Sequence, residues 1–336
     1  MSPTTQTSAK PGTDDDGRLS PQDDAIVEAA WCYYHEGLNQ SEIATKLGVS
    51  RASVVNYLAE SRRRDYVRVT LDSDVFLHNH LAAELRDAYP LTQCLVVPAN
   101  DTSEQHSFER VVRASADWLP QLLESGDLLG VAWGETIYRL SAIAPKLTFD
   151  DLVIVQLVGS RPSSLGFAAE SCSTTLAQRF GAHCINLHVP LLLSSPELCR
   201  QLIAEPVVAE QLKQVADCSK VIFAAGTCFD DSHIVRTGIM KPEEIARYRR
   251  HGAVGVICGR LIDRNGDAMN VPSEDRMIGV TLDQMRKKKL GMLVCAEPQR
   301  AEAARAAIIG GYVTHFACCS NTARLLLDDC PSRARP

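Results

Sequence analysis

Seven short apolar runs, at residues 94–97, 128–132, 152–158, 221–225, 254–258, 292–295 and 313–317, recur through the chain beyond Phe76, separated by segments long enough for amphipathic helices. Runs this short and this rich in Val, Ile and Leu suit strands buried between two layers of helix. Parallel strands need a crossover of about a dozen residues or more, and the spacers supply it. The pattern predicts an α/β domain built on a parallel sheet, and such sheets bind ligands outside the carboxyl ends of their strands. Residues 264–279 break the rhythm with polar side chains and are expected to form a long functional loop or a small subdomain.

The chain is 336 residues long, 45% hydrophobic and 23% charged, which is globular composition. That length leaves room for one large and one small domain. A net charge of −6 argues against general coating of nucleic acid but not against a local DNA-binding module. No apolar stretch approaches the roughly 20 residues of a membrane span, and the polar start of the chain carries no secretory signal, so a cytoplasmic protein is expected. The 12 cysteines lie in apolar segments without a CxxC pair and read as buried thiols, so neither a metal nor a cofactor is expected. Residues 1–20, with the run Asp14-Asp15-Asp16 and almost no large apolar side chain, are expected to be a flexible tail.

From Pro21 to Asp65 the periodicity is helical, with Ile26, Ala29, Ala30, Tyr33 and Tyr34 on one stripe and Gly37 at a helix stop. Residues 67–71 then suggest a short strand. Within this region Ala44 is small where two helices cross, Gly48 suits a turn of positive φ, and Ser50 can cap the next helix. Ile43, Leu47, Val49, Val54 and Leu58 make a small core, which leaves Arg51, Ala52, Ser53 and Asn56 facing outward at the start of the second helix of the pair. That is the arrangement of a helix-turn-helix reading the major groove. Arg can pair with guanine and Asn with adenine, while Arg62, Arg63 and Arg64 suit phosphates. The expected DNA contacts are Gln40, Ser50, Arg51, Ala52, Ser53, Asn56, Arg62 and Arg63. One such unit binds weakly alone, so a homodimer or homotetramer is implied. The expected organisation is a helix-turn-helix domain over 21–70, a connector over 71–80 and an effector-binding and oligomerisation domain over 81–330.

Several motifs extend this reading: Tyr33-Tyr34-His35-Glu36-Gly37-Leu38-Asn39-Gln40-Ser41-Glu42-Ile43-Ala44, Gly130-Val131-Ala132-Trp133-Gly134-Glu135-Thr136, Val155-Gln156-Leu157-Val158-Gly159, Gly252-Ala253-Val254-Gly255, Gly259-Arg260-Leu261-Ile262-Asp263 and Gly310-Gly311. On these the chain, from about Asp23 to Leu327, resembles the SorC/DeoR-type family of bacterial sugar-responsive transcription regulators, with polyol regulators such as erythritol repressors as the nearest flavour. The resemblance implies an all-α helix-turn-helix domain joined to a Rossmann-like α/β domain of sugar-phosphate isomerase type, kept as a sensor without turnover. It implies operator DNA and a small sugar, polyol or sugar phosphate as partners.

Candidate effector contacts follow the strands. Gly134 allows close backbone approach and Thr136 offers a hydroxyl at a helix opening, where N–H groups can hold a phosphate or a hydroxyl. Glu135, if it points inward, favours a neutral polyol over a phosphate. Gly159, Ser160 and Arg161 follow the run 152–158. Gly226, Thr227, Asp230, Asp231, Ser232 and His233 form a polar cluster after 221–225, from which Asp230 is taken as a contact. Asp263 can accept hydroxyl hydrogen bonds or serve as a turn aspartate. Arg276 matches a recurring arginine of the family, and Arg300 stands where relatives carry a basic ligand contact. The rival reading, an isomerase carrying a DNA-binding domain, has Asp230, Asp231 and His233 as possible bases but no spacing specific to catalysis, and neither a GxSxG elbow nor a Walker A loop is present. The expectation is a repressor of a carbohydrate or polyol operon. Asn56→Ala is expected to impair DNA binding and Asp263→Ala effector binding.

Overall fold

The structure is a computed structural model that describes residues 21–100, 102–161 and 167–330, so the expected tail lies outside the described residues. The chain divides into two compact units, one ending at Thr70 and the other beginning at Leu71.

The first unit holds α1 (Pro21–Tyr34), α2 (Gln40–Leu47) and α3 (Arg51–Arg63). Local chemistry sets each boundary. Asn39 Oδ1 accepts the N–H groups of Ser41 and Glu42 at 2.9 and 3.1 Å, and Glu42 Oε2 accepts the Asn39 N–H at 2.7 Å, a reciprocal cap on α2. Gly48, at φ +66°, ends α2 in the left-handed region, and Ser50 Oγ accepts the Ser53 N–H at 3.0 Å to start α3. Ala29, Ala30, Cys32, Ile43, Val54 and Leu58 close one small core against Leu47 and Val49. Arg64 departs from expectation: it pairs with the buried Asp23 of α1 and, at 2.7 Å, with Glu60, so it ties the helices together rather than facing a phosphate. Residues 67–71 form no strand. Among the described residues this all-helical unit has no strand to pair with, and Val69 is left 58% exposed.

The second unit carries β1 (Gln93–Val97), β2 (Leu128–Val131), β3 (Val153–Gln156), β4 (His183–Ile185), β5 (Lys220–Phe223), β6 (Ala225–Gly226), β7 (Ala253–Ile257), β8 (Arg260–Asp263), β9 (Leu290–Cys295) and β10 (His315–Cys319). Seven of these form a wholly parallel sheet in the order β1-β10-β9-β5-β2-β3-β4. Six of the seven apolar runs lie in it. The run at 254–258 corresponds to β7, which instead pairs antiparallel with β6 and β8 in a separate three-stranded sheet. The reason is local: Ile257 faces Arg260 across the two-residue turn Cys258-Gly259, whose φ values of +51° and +85° are those of a tight hairpin. Edge strand β4 was not anticipated, because His183 is exposed and Cys184 and Ile185 only half-buried.

Two further stretches pack against the large unit. Within 71–80 the helix Asp74–Leu77 buries Phe76 and Leu77 in the large core. The stretch 264–279 is a strap: Ile278 exchanges backbone bonds with Leu191 at 2.9 Å and Gly159 at 3.0 Å, and Arg260, 4% exposed, pairs with Glu274 and donates to the Val280 carbonyl at 2.8 Å. None of the twelve cysteines forms a disulfide.

Two predictions follow from this packing. A Cβ at Gly291 of β9 would stand 2.1 Å from the Tyr312 carbonyl oxygen, so Gly291→Ala should lower the free energy of unfolding by about 3 kcal/mol, read from urea titration. His315 is buried beside Trp118, and desolvation, then the nearby Lys220, push its pKa from 6.5 down to about 4. Between those values the unfolded chain binds the proton and the folded one does not. Stability should therefore fall as pH drops from about 6.5 toward 4 and level off below, and His315→Gln should flatten that slope.

Candidate functional site

In the parallel sheet the chain runs from β2 through β3 to β4 on one side, whereas β5, β9 and β10 succeed one another on the other side of β2. The connections after β2 and β5 thus leave in opposite directions and open a crevice at their carboxyl ends. A cavity of about 230 Å3 lies there, lined by Ala132 to Thr136 after β2, by Thr227, Asp231, Ser232 and His233 after β5 and β6, by the hairpin tip Cys258-Gly259, and by Glu297, Gln299 and Arg300 after β9.

Gly134 takes φ +111° and ψ 170°, a conformation open only to glycine, and starts the helix Glu135–Ile143. The first N–H groups of that helix have no acceptor within it. Glu135 lines the cavity, and both Arg139 Nε (2.8 Å) and Nη2 (2.7 Å) bind its Oε1, so its negative charge is largely compensated. On the facing side Arg300 Nε meets Glu297 Oε2 at 2.5 Å while its Nη1 donates to the Ala225 carbonyl at 3.3 Å, and Gln299 Nε2 donates to Glu297 Oε1 at 3.2 Å. His233 packs at 74° against Trp133 with ring centroids 4.5 Å apart. Burial, reinforced by Arg236 and Arg300, pushes its pKa down to about 4, so the imidazole is uncharged at neutral pH. Among the described residues, no group of three or more His, Cys, Asp or Glu side chains could hold a metal ion.

Of the effector contacts expected from sequence, the structure brings together Gly134, Glu135, Thr136 and Arg300. It holds the others elsewhere. Gly159 is glycine because a Cβ would lie 2.7 Å from the Leu191 backbone, and Ser160 donates its N–H to the Val189 carbonyl at 2.7 Å. The Arg161 guanidinium donates to the carbonyls of Thr237 and Gly238. Asp230 is exposed and does not line the cavity, whereas its neighbour Asp231 does. Asp263 Oδ1 accepts the N–H groups of Asn265 and Asp267 at 2.8 and 2.9 Å, which is the turn role. Arg276 Nη1 reaches the Leu193 carbonyl at 3.4 Å. Trp133 and Glu297, which also line the cavity, were not named as contacts. Ser232 and His233 stood in the polar cluster, but nothing in the sequence ranked them above Asp230.

On the other unit, Arg51, Ala52, Val55, Asn56, Ala59, Arg62 and Arg63 are exposed along one helical face of α3. Arg51 Nε donates to Gln40 Oε1 at 3.3 Å, which links the starts of α2 and α3. Ser50 and Ser53 share a 2.9 Å hydroxyl contact, Arg62 Nε donates to the Leu58 carbonyl at 3.2 Å, and Arg63 pairs with Glu60. Val55, 44% exposed, adds an apolar side chain to this face that the sequence reading did not name.

Residues 73–328 match the family described as "Putative sugar-binding domain". The chain is 33% identical over 310 residues to the uncharacterized transcriptional regulator YjhU of Escherichia coli (strain K12), covering 91% of this chain and 94% of that protein. It is 26% identical over 305 residues to the deoxyribonucleoside regulator of Bacillus subtilis (strain 168), covering 90% and 97% respectively. The full-length sorbitol operon regulator SorC from Klebsiella pneumoniae superposes with a TM-score of 0.72 at 19% identity, over 94% of this chain and 100% of that one, which shows the shared fold. A helix-turn-helix unit, a parallel-sheet unit with a cavity at its strand reversal, and relatives alike along nine-tenths of their length lead to one conclusion: the chain belongs to the SorC/DeoR-type family of sugar-binding transcriptional regulators.

Proposed function

We propose that this regulator reads operator DNA with the exposed face of α3 and is released from it when a small sugar, polyol or sugar phosphate enters the cavity at the ends of β2 and β5. The observation that carries this reading is the cavity itself: a small, polar-lined crevice at the sheet's reversal, whose wall carboxylates Glu135 and Glu297 are each paired to an arginine. Compensated charges suit a ligand rich in hydroxyl groups, because both oxygens of a carboxylate can accept and Arg139 takes only one of those of Glu135. The names of two relatives, one for deoxyribonucleosides and one for the sorbitol operon, favour carbohydrate-derived effectors. The unit over 21–70 serves as the DNA reader, the remainder as sensor and oligomerisation domain. Two copies place two recognition helices one helical turn of DNA apart. The regulator acts as a repressor, in the cytoplasm.

A sensor without turnover fits the site better than an isomerase. A general base works best when its pKa lies near the operating pH, and His233 is held near 4. Effector binding acts through differential affinity, and a coupling of about 1–3 kcal/mol changes operator occupancy about 5–150-fold.

The test is a thermal-shift screen of the full chain against tetritols, pentitols, hexoses and their phosphates, followed by fluorescence anisotropy on DNA fragments selected by the protein. A ligand that binds only the folded state raises the midpoint. At least one probe is expected to raise it and to weaken DNA binding; no shift with any probe would contradict the reading. A shift with a neutral polyol assigns Glu135 to a hydroxyl, and a shift confined to phosphates assigns the anion to the N–H groups after Gly134. Asn56→Ala should weaken specific DNA binding by about 1–3 kcal/mol with the effector shift intact. Asp263→Ala should leave effector affinity within about twofold and lower stability by about 1 kcal/mol through the lost turn bonds.

A further inference from the structure

Ser232 breaks a local rule. It is the N-cap of the short helix His233–Arg236, at φ −61° and ψ 154°, where a serine hydroxyl ordinarily accepts an N–H from the first turn. Its Oγ makes no such bond; the N–H groups of Val235 and Arg236 go to its main-chain carbonyl instead, at 3.1 and 3.0 Å. The residue is only 6% exposed, and Oγ is buried with no hydrogen-bond partner. The next residue repeats the pattern: His233 Nε2 is also buried and unpartnered. Both residues line the cavity at the strand reversal.

Buried polar atoms without partners lower the stability of a folded chain, and on the wall of a cavity a ligand can supply the missing partner. Two neighbouring ones on the wall of a single cavity are hard to explain by packing. We propose that Ser232 Oγ and His233 Nε2 form a hydroxyl-reading subsite that decides which sugar or polyol the cavity accepts, an inference that rests on the carbohydrate reading above.

The chemistry is complementary. A serine hydroxyl both donates and accepts, and an uncharged imidazole offers one donor and one acceptor. The perpendicular contact with Trp133 fixes the ring's orientation. Burial among Arg236 and Arg300 keeps it uncharged near neutral pH, so the subsite takes a hydroxyl or carbonyl oxygen and leaves an anionic group to the N–H groups after Gly134 or to Arg300. A ligand lacking that oxygen leaves both atoms unpaired, and such sites discriminate strongly against deoxy analogues.

The experiment uses the full chain and erythritol, ribitol, D-ribose, D-sorbitol and D-ribose 5-phosphate, with 2-deoxy-D-ribose and its 5-phosphate as analogues that lack a hydroxyl. Affinity for the probe with the largest midpoint shift is measured by calorimetry in the wild type, Ser232→Ala, His233→Phe and His233→Gln. Ser232→Ala and His233→Phe should bind that probe at least roughly tenfold more weakly, and His233→Gln should recover most of the loss because its amide replaces the ring nitrogen. Without ligand, the first two variants should melt at the wild-type temperature or above it, since each removes an unpaired buried atom. Wild-type-like affinity in both, or a marked drop in their ligand-free midpoint, would overturn the subsite while leaving the carbohydrate reading intact. Failure of every probe to bind the wild type would overturn that reading and the subsite with it.

Discussion

The amide of Ala132 donates to the carbonyl of Ile222 at 3.0 Å, and this bond joins β2 to β5 just where their onward connections part. Much of the site's geometry depends on that junction. Because the chain turns one way after β2 and the other way after β5, no helix can cover both carboxyl ends, and a crevice is left between them. The left-handed excursion at Gly134 then aims the start of the helix Glu135–Ile143 at the crevice. On the other side the chain leaves β5 through Ala224 into the small antiparallel sheet, whose hairpin tip at Cys258-Gly259 forms part of the cavity wall.

Charge is used differently in the frame and in the site. In the frame, oppositely charged partners come from distant parts of the chain and are mostly buried: Asp23 with Arg64, Lys220 with Asp127 at 2.6 Å, Arg260 with Glu274. Removing one partner of such a pair strands the other, so these contacts hold elements in register. At the cavity the pairs of the wall carboxylates are local, Glu135 with Arg139 four residues on and Glu297 with Arg300 three residues on, and they are partly solvated. Local, exposed pairs add little stability. They do preset the orientation of side chains that a ligand can address without displacing the fold.

The fold was legible where one physical signal was sufficient. Both-face apolar runs marked six parallel strands, and the capping serine, the turn glycine and the spacing of Ile43, Val54 and Leu58 marked the helix pair α2 and α3. It was not legible where tertiary partners decide. The run at 254–258 is as apolar as its neighbours, but a two-residue turn of positive φ, with Cys258 in place of the usual Asn or Gly, folds it back on itself. Six of the ten expected effector contacts lie outside the cavity, and for a related reason. Asp263, Arg161 and Arg276 are the polar residues a reader of sequence would choose, yet each satisfies backbone groups of a neighbouring loop or turn. Ser232 and His233 stand in the sequence as two members of a polar cluster, and only the hydrogen bonds they do not make set them apart from Asp230.

The most direct test of the cavity's role is amide hydrogen exchange of the full chain, with and without the carbohydrate that most raises its melting midpoint. The account predicts ligand-dependent protection concentrated in residues 133–137 and 226–236, the segments that follow β2 and β6. Protection confined to residues 159–161 and 263–276, with none at those two segments, would contradict it and move the effector to loops outside the cavity.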